Sequence, residues 1–401
     1  MTSPVHNIKD PDASPRPVFA LFALGFRPFF LLAGIAATFL VPLWIHRFLD
    51  VTAPAGYYDP LSWHAHEMLF GYSVAVIAGF LLTAAHNWTG LPTLAGKPLA
   101  ALALLWLAAR VLPFFAPQVA PVVIASVDML FLPLLALALA IPLLRSRQWQ
   151  QLVFLPVLVA LSGANLMVHL QQLGLSASSA STGIKFALYL VLLLIVILGG
   201  RVIPFFTDRG LEREVTRRWK LVEGLSIGSL LLLAILDLLD FPAPVLATIA
   251  ATAALAHALR LYGWYQSAIW RVPMLWILQL AYAWLVLGLV LQALAAAGLL
   301  NPMLALHAHT LGAIGGMTLG MMARVSLGHS GREINAACLT IWVFVLINLA
   351  ALVRVLLPIV DASRYSLWLQ LSAILWTLAF ALFVLGYAPI LMKPRVDGRP
   401  G

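Results

Sequence analysis

Of 401 residues, 62% are hydrophobic and only 10% are charged, and the mean hydropathy is +0.97. So few polar groups cannot cover a water-soluble domain of this length, so the composition describes an all-α, polytopic membrane helix bundle. The net charge of +9 gathers in loops on one side and reads as membrane topology, with no nucleic-acid partner.

Residues 1–18 are polar and proline-rich, with Pro4, Pro11, Pro15 and Pro17, and lack the apolar core of a secretory signal. They read as a cytoplasmic arm. Apolar runs then predict the first six membrane helices over 19–48, 62–86, 98–115, 119–144, 149–173 and 182–203. Six more follow over 219–239, 243–261, 272–299, 302–327, 334–357 and 363–392. The basic stretch 204–218 separates the first six helices (19–203) from the second six (219–392), and residues 393–401 form a tail. No linker is long enough for another domain, so 19–401 reads as one bundle.

Orientation follows from the basic residues. Lys97, Arg145, Arg147, the cluster from Arg209 to Lys220, Arg260, Arg271, Arg332 and Lys393 fall on one side. Arg47, Arg110, Lys185, Arg354 and Arg364 fall on the other. The basic side is the inner one, which places both termini in the cytoplasm. The single cysteine, Cys338, excludes an intramolecular disulfide framework and a cysteine-rich cluster site.

Histidines carry the sharpest pattern. Trp63-His64-Ala65-His66-Glu67 opens a run that ends at His86, and His307-Ala308-His309 opens one that ends at His329; His64 to His86 and His307 to His329 are each 22 positions. At ~1.5 Å per residue each interval spans roughly 33 Å, about one bilayer core, so each run sets imidazoles at both membrane faces. In an ideal helix the two ends of each run also return to the same face. His64, His66, His307 and His309, with His46 and His169, form an outer layer, whereas His86, His257 and His329 lie towards the inside. Positions i and i+2 diverge by ~200°, so His64 and His66 cannot point into one pocket if both are helical. Either each serves a different centre or the helix starts after them, and the same holds for His307 and His309.

Glu67, Asp128 and Asn165 fall within the outer half of the bilayer, where an ionisable group costs at least ~2.5 kcal/mol on a lone helix and normally marks a site. Glu67 is placed to accept the second N–H of a metal-binding imidazole. The candidate metal ligands are therefore His64, His66, His307, His86, His329, His309 and His169, supported by Glu67, Asp128 and Asn165. Arg27, Arg201 and Arg324 near the inner face and Arg110 near the outer are candidates to pair with a cofactor's carboxylates.

Five blocks carry a resemblance: Gly25-Phe26-Arg27-Pro28-Phe29-Phe30, Trp63-His64-Ala65-His66-Glu67-Met68, Asn87-Trp88-Thr89-Gly90, the stretch from Gly199 to Thr207, and the stretch from His307 to Gly331. Together they resemble the NnrS family of bacterial inner-membrane proteins of the nitric oxide response, over nearly the whole chain. The resemblance implies twelve helices, haem b held by histidine, copper as a further cofactor, and protection during nitrosative stress. Its matching positions are His64, His66, Glu67, Arg201, His307, Arg324 and His329; His309 stands where the family usually has an apolar residue. Nitric oxide or a related small ligand, membrane lipid, and quinol or another electron donor are the expected partners. The reaction itself stays open. Twelve helices in two groups of six also suit a proton-coupled secondary transporter, the alternative reading.

Overall fold

The computed structural model describes residues 19–49 and 56–399, so the arm over 1–18 lies outside the described residues. Among these residues the chain is helical, without a strand. Its long helices are α1 (Phe26–Leu49), α2 (Pro60–Thr89), α3 (Gly96–Phe115), α4 (Pro121–Arg145), α5 (Trp149–Gln172), α6 (Ser179–Gly210), α7 (Lys220–Leu238), α8 (Ala243–Trp264) and α9 (Pro273–Ala296). They continue as α10 (302–329), α11 (Cys338–Val360) and α12 (Ala362–Met392). All but α10 are long and apolar enough throughout to cross a bilayer, 11 in total. The element α10 is a continuous run of Pro302–His307, Ala308–Gly315 and Gly316–His329.

The helices alternate in direction, so the bundle has one end where the described chain begins and finishes, the proximal end, and an opposite, distal end. The innermost helices follow from composition. A span packed on all sides need carry no polar face, and α2, α9 and α6 are 78%, 67% and 61% buried over their most apolar windows, against 22% for α7. Helix α10 packs on α9 and α11, and α12 packs on both α1 and α11, so the last helix lies against the first.

Several boundaries differ from the sequence expectation by a few residues, and the larger shifts in α1 and α6 have a physical reason. Helix α1 starts at Phe26 rather than 19, because the preceding stretch is tied elsewhere: the Ala20 N–H donates to the Met392 carbonyl (2.8 Å). The Phe26 N–H is then capped by Thr83 Oγ1 of α2 at 2.9 Å. Helix α6 runs on through Pro204 to Gly210 and takes up half of the expected basic loop. A proline removes one N–H, here the one that would meet the Gly200 carbonyl, and membrane helices tolerate such an interruption. Helix α11 starts at Cys338 rather than 334.

The helical phase also changes. Glu67–Ser73 in α2 and Ala308–Gly315 in α10 are π-helical. Each π turn holds one residue more than an α turn, which rotates later positions by about 100° relative to an ideal helix. The offset of roughly 40° expected between His64 and His86, and between His307 and His329, becomes roughly 60° in the opposite sense, so the two ends of each run stay on neighbouring faces.

Arg27 closes the proximal end. Its Nη1 donates to the carbonyls of Leu391 and Lys393 at 3.0 and 2.6 Å, satisfying acceptors left over where α12 ends. Packing between α5 and α6 depends on Gly183, where an added Cβ would lie 2.5 Å from the Ala164 carbonyl oxygen and 2.9 Å from Met167 Cβ. Gly183→Ala is expected to lower stability by about 1–3 kcal/mol, whereas Gly163→Ala on the same pair of helices meets open space and is expected to be neutral. Thermal unfolding in detergent separates the two.

Candidate metal centre

Helix α2 is started by its own sequence. Asp59 caps it, its Oδ1 accepting from the N–H groups of Leu61 and Ser62 at 3.0 Å each, and Pro60 supplies the first helical position. Burial opposes ionisation of Asp59, but the bonds from Ser62 and Leu61 prevail and hold its carboxyl below the usual range. With the helix begun at Pro60, both His64 and His66 are helical and must face opposite ways.

His66 turns towards α3, α4 and α5. Its Nδ1 lies 3.1 Å from Glu67 Oε1, and its Nε2 lies 3.1 Å from Asp128 Oδ2 and 2.9 Å from Asn165 Oδ1. Asn165 donates its amide to the same Asp128 oxygen at 2.8 Å. His169 brings Nε2 to within 2.9 Å of Asp128 Oδ2 and Nδ1 to within 2.9 Å of the Tyr57 hydroxyl. Arg110 donates to Glu67 Oε1 at 3.1 Å and forms an ion pair with Asp128 Oδ1. All six of these membrane side chains are buried, none more than 7% exposed. Room for the pair comes from Gly71, where a Cβ would lie 3.0 Å from Glu67 Oε2 and 3.1 Å from Arg110 Nη1. Tyr58 stacks on the His66 ring with centroids 4.8 Å apart. Burial, and then the Asp128 and Glu67 carboxylates, push its phenol well above the ordinary value, so it remains an O–H donor.

This constellation lacks one positive charge. Two carboxylates and one guanidinium sum to minus one with neutral imidazoles, in a place where uncompensated charge is expensive. His66 shows where the missing charge belongs. Its Nδ1 faces the Glu67 carboxylate, and Nε2 faces the oxygens of Asp128 and Asn165 as well as the Tyr58 hydroxyl at 3.2 Å, the one group there able to donate to it. A neutral imidazole carries one N–H, so one carboxylate, Glu67 or Asp128, and one ring nitrogen meet without a proton between them unless a second proton or a cation intervenes. One ligand atom from each of His66, Asp128 and His169 lies within 4.8 Å of the others. Glu67 Oε2 is buried with no partner, as an incompletely balanced site would leave it. Two imidazoles, a carboxylate and an amide oxygen suit a first-row transition metal, and the Glu67 and Tyr57 contacts at the remote nitrogens would fix the tautomers such an ion requires.

His64 turns the other way. It stacks on Trp44 at 4.1 Å between centroids, and Arg354 and His307 lie within its electrostatic reach. His307 donates Nδ1–H to the Met303 carbonyl at 2.7 Å and accepts from Arg354 Nη2 at 3.3 Å. His309 faces away from this group, with Nε2 3.4 Å from Gln292 Oε1. The two His-x-His elements thus turn their first histidines towards Arg354, which bonds His307, and their second histidines diverge.

The proximal histidines are separate. His86 donates Nδ1–H to the Leu91 carbonyl at 2.9 Å, and His329 Nε2 accepts from Asn87 Nδ2 at 3.4 Å. His329 lines a cavity of about 300 Å³ between α2, α6 and α10, together with Arg201, Asn87, Trp88, Phe206 and Met321. An apolar extension of about 80 Å³ shares Phe80, Leu198, Val202 and Met321 with it and reaches Ser73 and Thr318 near mid-bundle. Beside the cavity, the guanidinium of Arg324 lies 3.8 Å from the centre of the Phe206 ring; it is buried, and its Nε has no partner. Arg201 bonds only the neutral Gln151, at 3.2 Å.

Of the residues singled out in the sequence, the structure therefore gathers His66, Glu67, Arg110, Asp128, Asn165 and His169 in one centre and places His64 with His307 in another. His329, Arg201 and Arg324 flank one cavity, Arg27 serves as a helix cap, and Arg110 is occupied by protein carboxylates. Tyr57, Tyr58 and Arg354 were not anticipated. Arg110→Met would leave Glu67 and Asp128 buried without their cation and is expected to cost about 3–5 kcal/mol. The double substitution Arg110→Met with Glu67→Gln, which removes one of the two negative charges, is expected to recover part of that loss in the same unfolding assay.

No curated protein matches the chain. The model of a protein family described as "NnrS protein" matches residues 20–395, which include the metal centre, the Arg354 group and the cavity. This multi-pass helical chain belongs to the NnrS family.

Proposed function

We propose that this protein binds copper at His66, Asp128 and His169 and haem b in the cavity between α2, α6 and α10, and serves the nitric oxide response from the bacterial inner membrane. The observation that carries the reading is the missing positive charge at His66, which has a carboxylate facing each nitrogen. Copper binds most tightly among the divalent first-row metals to a given nitrogen and oxygen site, and imidazole suits it. Bound copper and haem iron would supply open coordination positions for nitric oxide and a change of oxidation state.

The haem assignment rests on shape and charge. The cavity is apolar over most of its lining, and Arg201 and Arg324 stand beside it without carboxylate partners. Guanidinium is the natural partner for two propionates, and His329 lines the same cavity as a candidate iron ligand. His64, His66 and His307, which the sequence also offers as candidate metal ligands, do not line this cavity. His66 is surrounded by carboxylate and amide oxygens, and the free lone pair of His307 is taken by Arg354.

The chain's own residues have clear tasks in this reading. Glu67 and Tyr57 orient the two imidazoles, Arg110 bridges Glu67 and Asp128, and α2 links the centre to the cavity. Nitric oxide is small and uncharged, so it can arrive through lipid without a charged vestibule. The excess of basic loops at the proximal end supports a cytoplasmic placement of that end, which would set the metal centre towards the periplasm. Electrons would come from quinol or another membrane donor.

Elemental analysis combined with a pyridine haemochrome assay tests both cofactors on one preparation. His169→Ala is expected to lose copper and keep the Soret band; His329→Ala with Arg324→Gln is expected to weaken the Soret band and keep copper. Wild-type protein that is folded, free of both cofactors after expression with copper and haem supplied, and active in proton-coupled uptake would replace this reading with the transporter alternative.

A further inference from the structure

Arg354 is buried, at 5% exposure, near the distal end of α11. A guanidinium does not deprotonate in proteins, so its charge must be met in place. Among the other buried arginines, Arg110 has Glu67 and Asp128, Arg260 has Glu223, and Arg324 lies over the Phe206 ring beside the cavity. Arg354 has no carboxylate partner among the described residues. Its contacts are the neutral His307 Nε2 and the ring of Tyr365, whose centroid lies 4.9 Å from the guanidinium carbon. The nearby acid Asp361 is taken by Arg364 at 3.3 Å and by Ser363.

The surroundings are arranged to hold this cation rather than to neutralise it. The Met303 carbonyl fixes the proton of His307 on Nδ1, which leaves Nε2 to accept from Arg354. His64 is held flat against Trp44, and its Nδ1 is buried with no partner. A fixed plus one flanked by two imidazoles disfavours a bare metal ion, since a second cation would meet the first at short range. It favours an anion. The planar fork of guanidinium matches anions with two coplanar oxygens.

We propose that Arg354, His307 and His64 form a binding site for a small planar oxyanion of the carboxylate, nitrite or nitrate type, distinct from the metal centre on the opposite face of α2. The HxH element then divides its labour, with His66 serving a cation site and His64 an anion site. The proposal does not depend on copper or haem, because it rests on a permanent charge.

Calorimetric titration of the purified full-length protein with nitrite, nitrate and formate tests it, with chloride as a spherical control and inorganic phosphate as a mimic of a lipid headgroup. Saturable binding of at least one planar anion is expected, with a Kd on the order of 1 mM or below. Arg354→Gln is expected to weaken it roughly tenfold or more, and Arg354→Lys to restore only part. Arg201→Gln should leave it unchanged. Should Arg354→Gln fold poorly, His307→Ala gives a second reading: it frees the guanidinium from its orienting acceptor and is expected to weaken the same binding. Copper content should be unaffected in the Arg354 and His307 variants. Binding that is absent, that survives Arg354→Gln in folded protein, or that is matched by chloride or phosphate would overturn the proposal.

Discussion

The structure depends on how charge is balanced inside a bilayer-sized bundle. Arg110 of α3 joins Glu67 of α2 to Asp128 of α4, and Asp128 in turn receives His66 of α2 and His169 of α5. Four helices are thereby fixed by polar contacts that have no competitor in lipid, where an unpaired charge costs several kcal/mol per ion (~). Apolar packing sets which helices lie inside, but it is not directional. The charged network sets their register, and it remains one positive charge short. That deficit connects the fold with function: the arrangement that orders the distal end of the bundle also calls for a cation.

The geometry of an i, i+2 pair distributes the chemistry. A helix cannot aim two such side chains at one point, so α2 presents His66 to the carboxylates and His64 to Arg354 and His307. Helix α10 repeats the device, sending His307 to the shared group and His309 to Gln292. Both helices pass from their histidines into a π-helical stretch. The wider turn lets the residues just after the pair be placed independently of the rest of the span, which then lines the cavity with apolar side chains and ends at His329 in α10.

Much of this was legible in the residues. Hydropathy marked eleven helices among the described residues outright, because a span must be apolar for the length of the bilayer core, and marked α10, with its histidines and glycines, less strongly; the errors fell at helix ends, as at Phe26, Pro204 and Cys338. The intramembrane positions of Glu67, Asp128 and Asn165 marked a site because such groups are costly in lipid, and the structure brings all three together. The divergence of His64 from His66 followed from the helical repeat. What the repeat could not give was which helices are neighbours. Arg110 was read as a partner for a cofactor because nothing in the sequence placed it between Glu67 and Asp128. Tyr57 and Tyr58, in the loop before Asp59, had no periodic signal, and Arg354 looked like any basic residue near a membrane face. The π-helical turns of α2 and α10, which shift the phase between the ends of each run, likewise have no plain signature in composition.

The central claim is that His66, Asp128 and His169 hold a metal ion. X-ray absorption at the copper edge of wild-type protein and of His66→Ala tests it most directly. The account predicts copper bound by nitrogen and oxygen with the multiple-scattering signature of imidazole in the wild type, and loss of the metal in His66→Ala. Copper at background level in copper-supplied wild-type protein, or an unchanged spectrum in His66→Ala, would contradict it.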